Sequence, residues 1–578
     1  MIIDKTVYRA NDIRGIADEA DPGFQLTDDF CYLTGLAYVE LLRKYRGKEP
    51  GQAFRVVVGK DVRNSGLRMK TAFINALRSR GVYVIDIAPK EKVSSTPLMY
   101  FATWFFDADG GVEVTGSHLD KEWNGFKFCI GSESTTEAHI REMYHYACEF
   151  EAQFKAGSRS LDVSGGKGNV IPGPSLSYRL RGELEEVDVL PEYQDMIRAN
   201  IILRERWEEL ALQALYNEIS LKSALQTARE EIEQLPCERR KPLTGLKIVY
   251  DAGNGTTGVI APPLFRDLGV EVFELYSEPD GNFPNHLPDP TIPEFLKDLN
   301  AEVARTGAQI GLSSDCDGDR AGAVSPGGGM IIGEQILALL CKHILREHPR
   351  AKIVYDIKCS DAIREIITEN SGIPVECKTG FSFIKEKMDA VAAVAGGEMS
   401  GHVYFAKNNR SDDAVFAFSE LLLLIVDELR LRLRTHPYSG SGRSAEVEVA
   451  VVDNMLTDFL SRYVNTPEIR VPVVSDDEKE RISDAIEGYY RELAANEPDR
   501  YRRRVDEAGE DIDGVKIEFR ADKGWALIRR SNTSPVIILR MEARKLEGLR
   551  RIEEHVIAKF LEFTEVDLNA DEYVRGIV

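Results

Sequence analysis

The stretch Ser313-Ser314-Asp315-Cys316-Asp317-Gly318-Asp319-Arg320 places carboxylates at alternate positions directly after an apolar, strand-like run, Ala308-Gln309-Ile310-Gly311-Leu312. Hard divalent cations prefer oxygen ligands, and a loop at a strand end can aim several carboxylates at one ion. Gly318 permits the tight turn such a loop needs. Arg320 adds a fixed cation suited to an anionic substrate such as a phosphate. An EF-hand is excluded, because its required glycine and closing acid would fall on Arg320 and Pro326. An aspartyl-phosphate phosphatase loop usually carries Thr where Asp319 stands. An ordinary solvated acidic turn is the plain alternative.

A second candidate is Val112-Glu113-Val114-Thr115-Gly116-Ser117-His118, with Asn124-Gly125-Phe126-Lys127 behind it. A serine between a strand end and a glycine turn is exposed enough to act as a nucleophile or phosphoryl carrier. No adjacent acid completes a hydrolase triad, and the pattern is not G-x-S-x-G. In isolation such a serine is more often a turn residue. Arg14, within Asp12-Ile13-Arg14-Gly15, reads by itself as a surface charge.

These residues must be positioned by repeated elements. Phe54–Val58 reads as a buried strand ending in Gly59-Lys60-Asp61, followed by a helix from Leu67 to Arg80, a capping Gly81 and a strand from Val82 to Ile87. The unit recurs with Leu246–Asp251, a helix to Leu268, Gly269 and Val270–Leu275. It recurs again with Lys352–Asp356, a helix from Asp361, Gly372 and Ile373–Cys377. Three such units predict three similar α/β domains in tandem with mixed sheets. After a linker at His436–Gly442, strands at Val447–Val452, Val515–Phe519, Trp525–Ile528 and Val536–Glu542 alternate with helices at Asp476–Leu493 and Leu546–Phe563. That predicts a smaller C-terminal α+β domain. The expected boundaries are 1–155, 188–330, 331–436 and 437–578, with a Gly/Ser/Pro-rich insertion at 156–187 and a helical insertion at 199–240. Within the latter, Leu221, Leu225, Ala228, Ile232 and Leu235 form one apolar stripe of a helix or helical hairpin. It packs on its own domain or, alternatively, on a second copy.

Composition narrows the function classes. The 578 residues suggest roughly three to five domains. A net charge of −22 argues against nucleic acid or an anionic membrane surface as partner. The longest apolar run, Leu421–Val426, is far too short to span a bilayer. The N-terminus lacks the order of a signal peptide. The 8 cysteines are scattered singly, as expected for reduced thiols in the cytoplasm.

Taken together, the motifs resemble the α-D-phosphohexomutase superfamily. Thr115–His118 with Asn124–Lys127 looks like its phosphoserine loop, and Asp315–Arg320 like its metal loop, D-x-D-G-D-R. Gly397-Glu398-Met399-Ser400-Gly401-His402 resembles its sugar-recognition loop. Arg529-Arg530-Ser531-Asn532-Thr533-Ser534-Pro535 resembles its phosphate-binding loop. Asp12–Gly15 and Pro279–His286 match further signatures, all in family order. The resemblance implies four domains around a central cleft and a Mg²⁺ ion held by Ser117, Asp315, Asp317 and Asp319. It implies that phospho-Ser117 interconverts hexose 1-phosphate and hexose 6-phosphate through a hexose 1,6-bisphosphate. His118 lies in the carrier loop, and Arg14, Lys127 and His402 match groups that shuttle protons or stabilise the transferring group. Arg320 and Lys378 match residues near the substrate, and Glu398 and Ser400 would contact the sugar hydroxyls. Arg529, Ser531, Asn532 and Thr533 would hold the resting phosphate.

Glu398-Met399-Ser400 with Ser531-Asn532-Thr533 looks like the phosphomannomutase/phosphoglucomutase branch. Alternatives are a phosphoglucosamine mutase, a phosphoserine-type sugar phosphatase, or a non-catalytic sugar-phosphate scaffold. A monomer and a homodimer are both compatible. Gly116 stands where the family usually has Ala, and Leu119-Asp120 where it has Asn-Pro, so the carrier loop is expected to be less rigid. Asn11, Phe381 and Ser534 depart where Tyr, His and Glu are usual.

Overall fold

A computed structural model describes residues 2–48, 52–156, 182–435, 445–458, 462–531 and 535–566. The expected linker at His436–Gly442, most of the 156–187 insertion, and Asn532 and Thr533 lie outside them. The chain divides into two compact units, Met1–Ile336 with Ser400–Met455, and Leu337–Met399 with Leu456–Val578.

The first unit begins with a sheet of seven strands: β1 (Ile13–Ile16), β2 (Arg55–Lys60), β3 (Tyr83–Asp86), β4 (Gly110–Val114), β5 (Trp123–Ile130), β6 (Glu133–Ser134) and β7 (Leu184–Glu186). Its order is β1-β5-β4-β2-β3-β7, with β6 pairing β5. Strands β4, β2, β3 and β7 run parallel, whereas β5 returns antiparallel beside β4 and β1. Val56, Val57 and Val58 are fully buried, as expected for parallel strands covered on both faces. The helix Asp28–Arg46 covers this sheet. Thr27 caps it by accepting from the Phe30 N–H, and Gly47 ends it in the left-handed conformation.

The second sheet repeats that plan. It comprises β8 (Lys247–Asp251), β9 (Glu271–Leu275), β10 (Ile310–Ser314), β11 (Ala321–Val324) and β12 (Met330–Ile331), in the order β12-β11-β10-β8-β9. Again the parallel strands β10, β8 and β9 are followed by an antiparallel return, β11 beside β10. The turn from β4 to β5 holds Ser117, and the turn from β10 to β11 holds the three aspartates. The repeat in the sequence therefore extends one strand further than the strand–helix–strand unit reveals.

In the second unit, β13 (Lys352–Asp356) pairs in parallel with β14 (Ile373–Cys377) and β15 (Ala395–Gly397). Residues 398–402 occupy the corresponding place in chain order, before β16 (Val403–Phe405). The left-handed residue ahead of β14 is Ser371, not Gly372. The C-terminal sheet is antiparallel: β17 (Val464–Asn465), β18 (Ile469–Pro472), β19 (Tyr501–Val505), β20 (Asp511–Phe519), β21 (Gly524–Arg530) and β22 (Val536–Ala543). The helices Asp476–Asn496 and Leu546–Phe560 cover it. Three α/β domains and a smaller α+β domain are the architecture expected from the sequence.

Two expectations are corrected. Ala445–Thr457 is a helix, not a strand over Val447–Val452. Its alternating Val and Glu residues imitate strand periodicity, but the buried pair Val452 and Leu456 lies four residues apart, the helical spacing. The segment 199–235 is not one helix or a hairpin. It runs through the helices Leu190–Leu203, Glu205–Leu215 and Leu221–Glu233, with a break at Arg204, whose φ is 49°. Leu221, Leu225 and Ala228 are buried within the same unit, so most of the stripe is covered by its own chain; Ile232 and Leu235 remain partly exposed.

Candidate active site

The β10–β11 turn folds its aspartates inward. Asp315, Asp317 and Asp319 are all buried, and their ligand oxygens lie within 4.8 Å of one another. Gly318, at φ 76°, supplies the reversal between them. Asp315 Oδ1 accepts from the N–H groups of Asp319 (3.1 Å) and Arg320 (3.2 Å), which tightens the loop. Buried Oδ1 atoms of Asp317 and Asp319 have no hydrogen-bond partner. Buried carboxylate oxygens without a hydrogen bond, in a cluster this close, fit a hard cation, which takes oxygen ligands.

Ser117, 198 residues away in sequence, donates its Oγ–H to Asp315 Oδ2 at 2.9 Å. Its backbone is left-handed, φ 51°, so the side chain leaves the β4–β5 turn towards the aspartates. His118 is half-buried, with Nδ1 3.3 Å from Ser117 Oγ. Burial, and then the cations Arg320 and Arg14, push its imidazole well below the ordinary histidine value, so it stands neutral.

Lys127 reaches the cluster from β5. Its Nζ donates to Asp317 Oδ2 at 2.8 Å and also to Asp319 Oδ2. Burial opposes its charge, but Asp317 and Asp319 overcome that and raise its pKa. Asp317 is the converse: burial would raise it, and Lys127 pulls it below the usual carboxylate range. Asp315 is pushed well above that range by burial, then by the charges of Asp319 and Asp317.

Arg14 sits on β1 opposite Gly125 of β5, donating to the Thr115 carbonyl and pairing with Asp12 at 3.0 Å. Arg320 is half-buried, its Nε 3.9 Å from Asp315 Oδ2. Ser400 precedes Gly401, whose carbonyl accepts from the Ala321 N–H at 2.9 Å. That contact seats His402 with Nδ1 3.1 Å from Asp412 Oδ2 and 3.7 Å from Asp319 Oδ1. The first unit therefore brings together Arg14, Ser117, His118, Lys127, the three aspartates, Arg320 and His402. Sequence reasoning missed Thr96, whose Oγ1 donates to Asp317 Oδ2 at 2.5 Å. The signal available was Ser95-Thr96-Pro97, a helix start whose N-cap, Ser95, accepts from the Leu98 N–H. Asp412, beside His402, was missed as well.

In the second unit Glu398 and Arg529 are buried and Lys378 is exposed. Arg529 Nε pairs with Asp513 at 2.9 Å. The Ser531 N–H donates to the Val536 carbonyl at 2.9 Å, and the Ser531 carbonyl accepts from Lys479 at 3.0 Å.

Family models of phosphoglucomutase/phosphomannomutase match the chain along most of its length. Alpha/beta/alpha domain I matches residues 5–147, domain II 227–328, domain III 332–434, and the C-terminal domain 468–559. The chain belongs to this family. A phosphomannomutase/phosphoglucomutase of Pseudomonas aeruginosa is 32% identical over 553 residues, covering 95% of this chain and 94% of its own. A phosphoglucomutase of Neisseria gonorrhoeae is 30% identical over 554 residues, covering 95% and 96%. Among solved structures, a phosphoglucomutase/phosphomannomutase family protein of Burkholderia thailandensis superposes with a TM-score of 0.69. It is 27% identical and covers 97% of this chain and 98% of that one. As a phosphoglucomutase/phosphomannomutase family member, this chain is a mutase of the phosphotransferase kind, and the Ser117–aspartate cluster is its candidate centre. Among the described residues, no helix is long and apolar enough to cross a membrane.

Proposed function

We propose that the chain interconverts the 1- and 6-phosphates of glucose and mannose, with Ser117 as phosphoryl carrier. The observation that carries this is the 2.9 Å contact of Ser117 Oγ with Asp315, which joins a candidate carrier to a candidate cation site. Phosphoryl transfer needs positioning and charge neutralisation more than covalent chemistry.

Ser117, Asp315, Asp317 and Asp319 would hold Mg²⁺. When bound, the ion supplies positive charge to neutralise the transferring phosphoryl group. In the forward step the Ser117 Oγ–P bond breaks as a bond from phosphorus to a sugar hydroxyl oxygen forms. The hydroxyl proton passes to a base, for which His402 is suited, its Nδ1 anchored by Asp412. In the second transfer the oxygen left on Ser117 attacks the other phosphorus of the 1,6-bisphosphate, and the sugar oxygen released there takes back the proton from the base. Arg14 and Lys127 add fixed cations beside Ser117. Glu398 and Ser400 are assigned to the sugar hydroxyls, a two-oxygen acceptor beside a short hydroxyl being suited to a vicinal diol. Lys378 and Arg320 are assigned to the substrate, and Arg529, Ser531, Asn532 and Thr533 to the phosphate that is not transferring. Eight cysteines outside any disulfide, six of them buried, favour a reducing compartment, the cytoplasm.

The test is a coupled mutase assay with Mg²⁺ and a trace of glucose 1,6-bisphosphate. Substrates are glucose 1-phosphate, mannose 1-phosphate and N-acetylglucosamine 1-phosphate, with released inorganic phosphate followed in parallel. Turnover of the first two that disappears in Ser117→Ala is the expected result. Phosphate release without isomerisation, or turnover unaffected by Ser117→Ala, refutes it.

A further inference from the structure

Behind the Ser117 turn lies a buried arginine that faces no solvent. Arg63 is 2% exposed and uses every donor of its guanidinium. Nε pairs with Asp61 Oδ2 at 3.2 Å. Nη1 donates to the carbonyls of Asp120 (2.6 Å) and Trp123 (2.8 Å). Nη2 donates to those of Ser117 and Leu119, both at 2.6 Å. One side chain thus binds carbonyls at four places along a single turn.

The surroundings are built to admit it. A Cβ at Gly116 would stand 2.4 Å from both Cζ and Nε of Arg63, closer than packed atoms approach. The Phe283 ring lies over the guanidinium, 5.3 Å from its Cζ. Asp61 is fully buried and joins the turn to its neighbour. It accepts from the Arg63 N–H at 2.9 Å, from the Gly116 N–H at 3.3 Å, and from Cys316 Sγ in the aspartate turn at 3.5 Å. Ser117 itself holds a left-handed backbone, which a residue with a side chain keeps only where its surroundings enforce it.

We infer that Arg63 is a positioning residue that fixes Ser117 against the aspartate cluster, and that Gly116 is present to make room for it. The turn lacks the proline that stiffens the resembling loops. Here its rigidity comes from hydrogen bonds to the carbonyls, which any residue can supply, so Leu119 and Asp120 are tolerated. The side chain of Asp120 points to solvent while its carbonyl is held. Substituting Ala at Gly116, the residue usual in the family, therefore damages this protein. The catalytic part of this inference rests on Ser117 being the carrier; the clamp itself does not.

The experiment compares the full-length wild type with Arg63→Lys, Gly116→Ala, their double variant and Ser117→Ala. Hydrogen exchange reads residues 115–123. Mass spectrometry reads phosphate on Ser117 after incubation with glucose 1,6-bisphosphate and Mg²⁺, and steady-state assays separate kcat from KM. Arg63→Lys and Gly116→Ala are each expected to speed exchange across 115–123 and lower kcat about 100-fold, with KM changed by less than about twofold. The double variant should be little worse than either, because both act through one contact. Unchanged exchange in Gly116→Ala, which keeps the Arg63 side chain but puts a Cβ against its Cζ and Nε, overturns the clamp even if Arg63→Lys fails to fold. Faster exchange with unchanged kcat in the two variants, where the wild type is phosphorylated on Ser117, overturns the positioning role. If the wild type takes no phosphate on Ser117, the proposed function fails, and exchange alone still decides whether the clamp exists.

Discussion

At the scale of single residues, the aspartate turn crowds three buried carboxylates against Lys127 and Arg320. Lys127 compensates Asp317 and Asp319, while Asp315 is pushed towards its neutral form by burial and by those same neighbours. A bound divalent cation would relieve that repulsion. Asp317→Asn is therefore expected to weaken Mg²⁺ affinity by at least ~10–100-fold, read by titration calorimetry, and to lower turnover in parallel. Chelation of the wild type with EDTA should stop turnover, and added Mg²⁺ should restore it. Gly125 is constrained differently. A Cβ there would lie 1.8 Å from the Ile13 carbonyl, so Gly125→Ala must push β5 from β1 and with it Lys127 from Arg14. The expected cost is about 1–3 kcal/mol of stability, measured by urea unfolding, together with a fall in kcat.

At the scale of elements, one device recurs: parallel strands, then a turn loaded with chemistry, then an antiparallel return. Burial of the strands on both faces keeps the turn in register, so chemistry placed at the strand ends arrives preorganised. The helices Leu190–Leu203, Glu205–Leu215 and Leu221–Glu233 serve packing. Tyr193 donates to both carboxylate oxygens of Asp413 at 2.9 Å, and the Asn200 amide is paired at Glu420 on the helix Ala414–Thr435. With Leu225 only 1% exposed, Leu225→Ala should cost about 2–5 kcal/mol. Size-exclusion chromatography should show no change of oligomeric state, because this face of the stripe is already covered within the chain.

At the scale of the whole molecule, the strong acidity makes pH a lever on stability, and two buried glutamates of the second unit act in opposite directions. Burial would raise Glu376, but Lys516 and Arg504 pull it down to about 2. Its stabilisation is present above the unfolded pKa near 4.5 and is lost as pH falls from about 4.5 towards 2. Burial, then the charge of Asp361, raises Glu542 to about 7, where it accepts from Trp525 Nε1 at 3.0 Å. Its contribution is complete below about pH 4.5 and is lost as pH rises through 7. Glu376→Gln is expected to cost about 3–5 kcal/mol at pH 7 by taking the carboxylate from the buried Lys516 ammonium, while Arg504 keeps Asp361 and Glu518. Glu542→Gln should leave stability at pH 5 nearly unchanged and reduce its decline between pH 5 and 8. Thermal unfolding across that range checks both.

The residue types themselves determined the chemistry: alternating aspartates ask for a cation, and a serine in a glycine turn offers a carrier. Strand periodicity and the Gly-capped helices determined the repeated α/β units, because both signals are local. The meeting of Ser117 with Asp315 was implied only by the family resemblance and is seen only in the tertiary structure, since 198 residues of chain leave no local trace of that contact. The contact of Thr96 with Asp317, 221 residues away, likewise leaves no local trace, whereas Asp412 is near its partner His402 in sequence and is singled out only by the fold. Ala445–Thr457 shows the limit from the other side, because its period-two pattern was outweighed by burial at helical spacing. Gly116 illustrates both. As a letter it is a departure from the usual Ala, whereas in the fold it is the space that Arg63 fills.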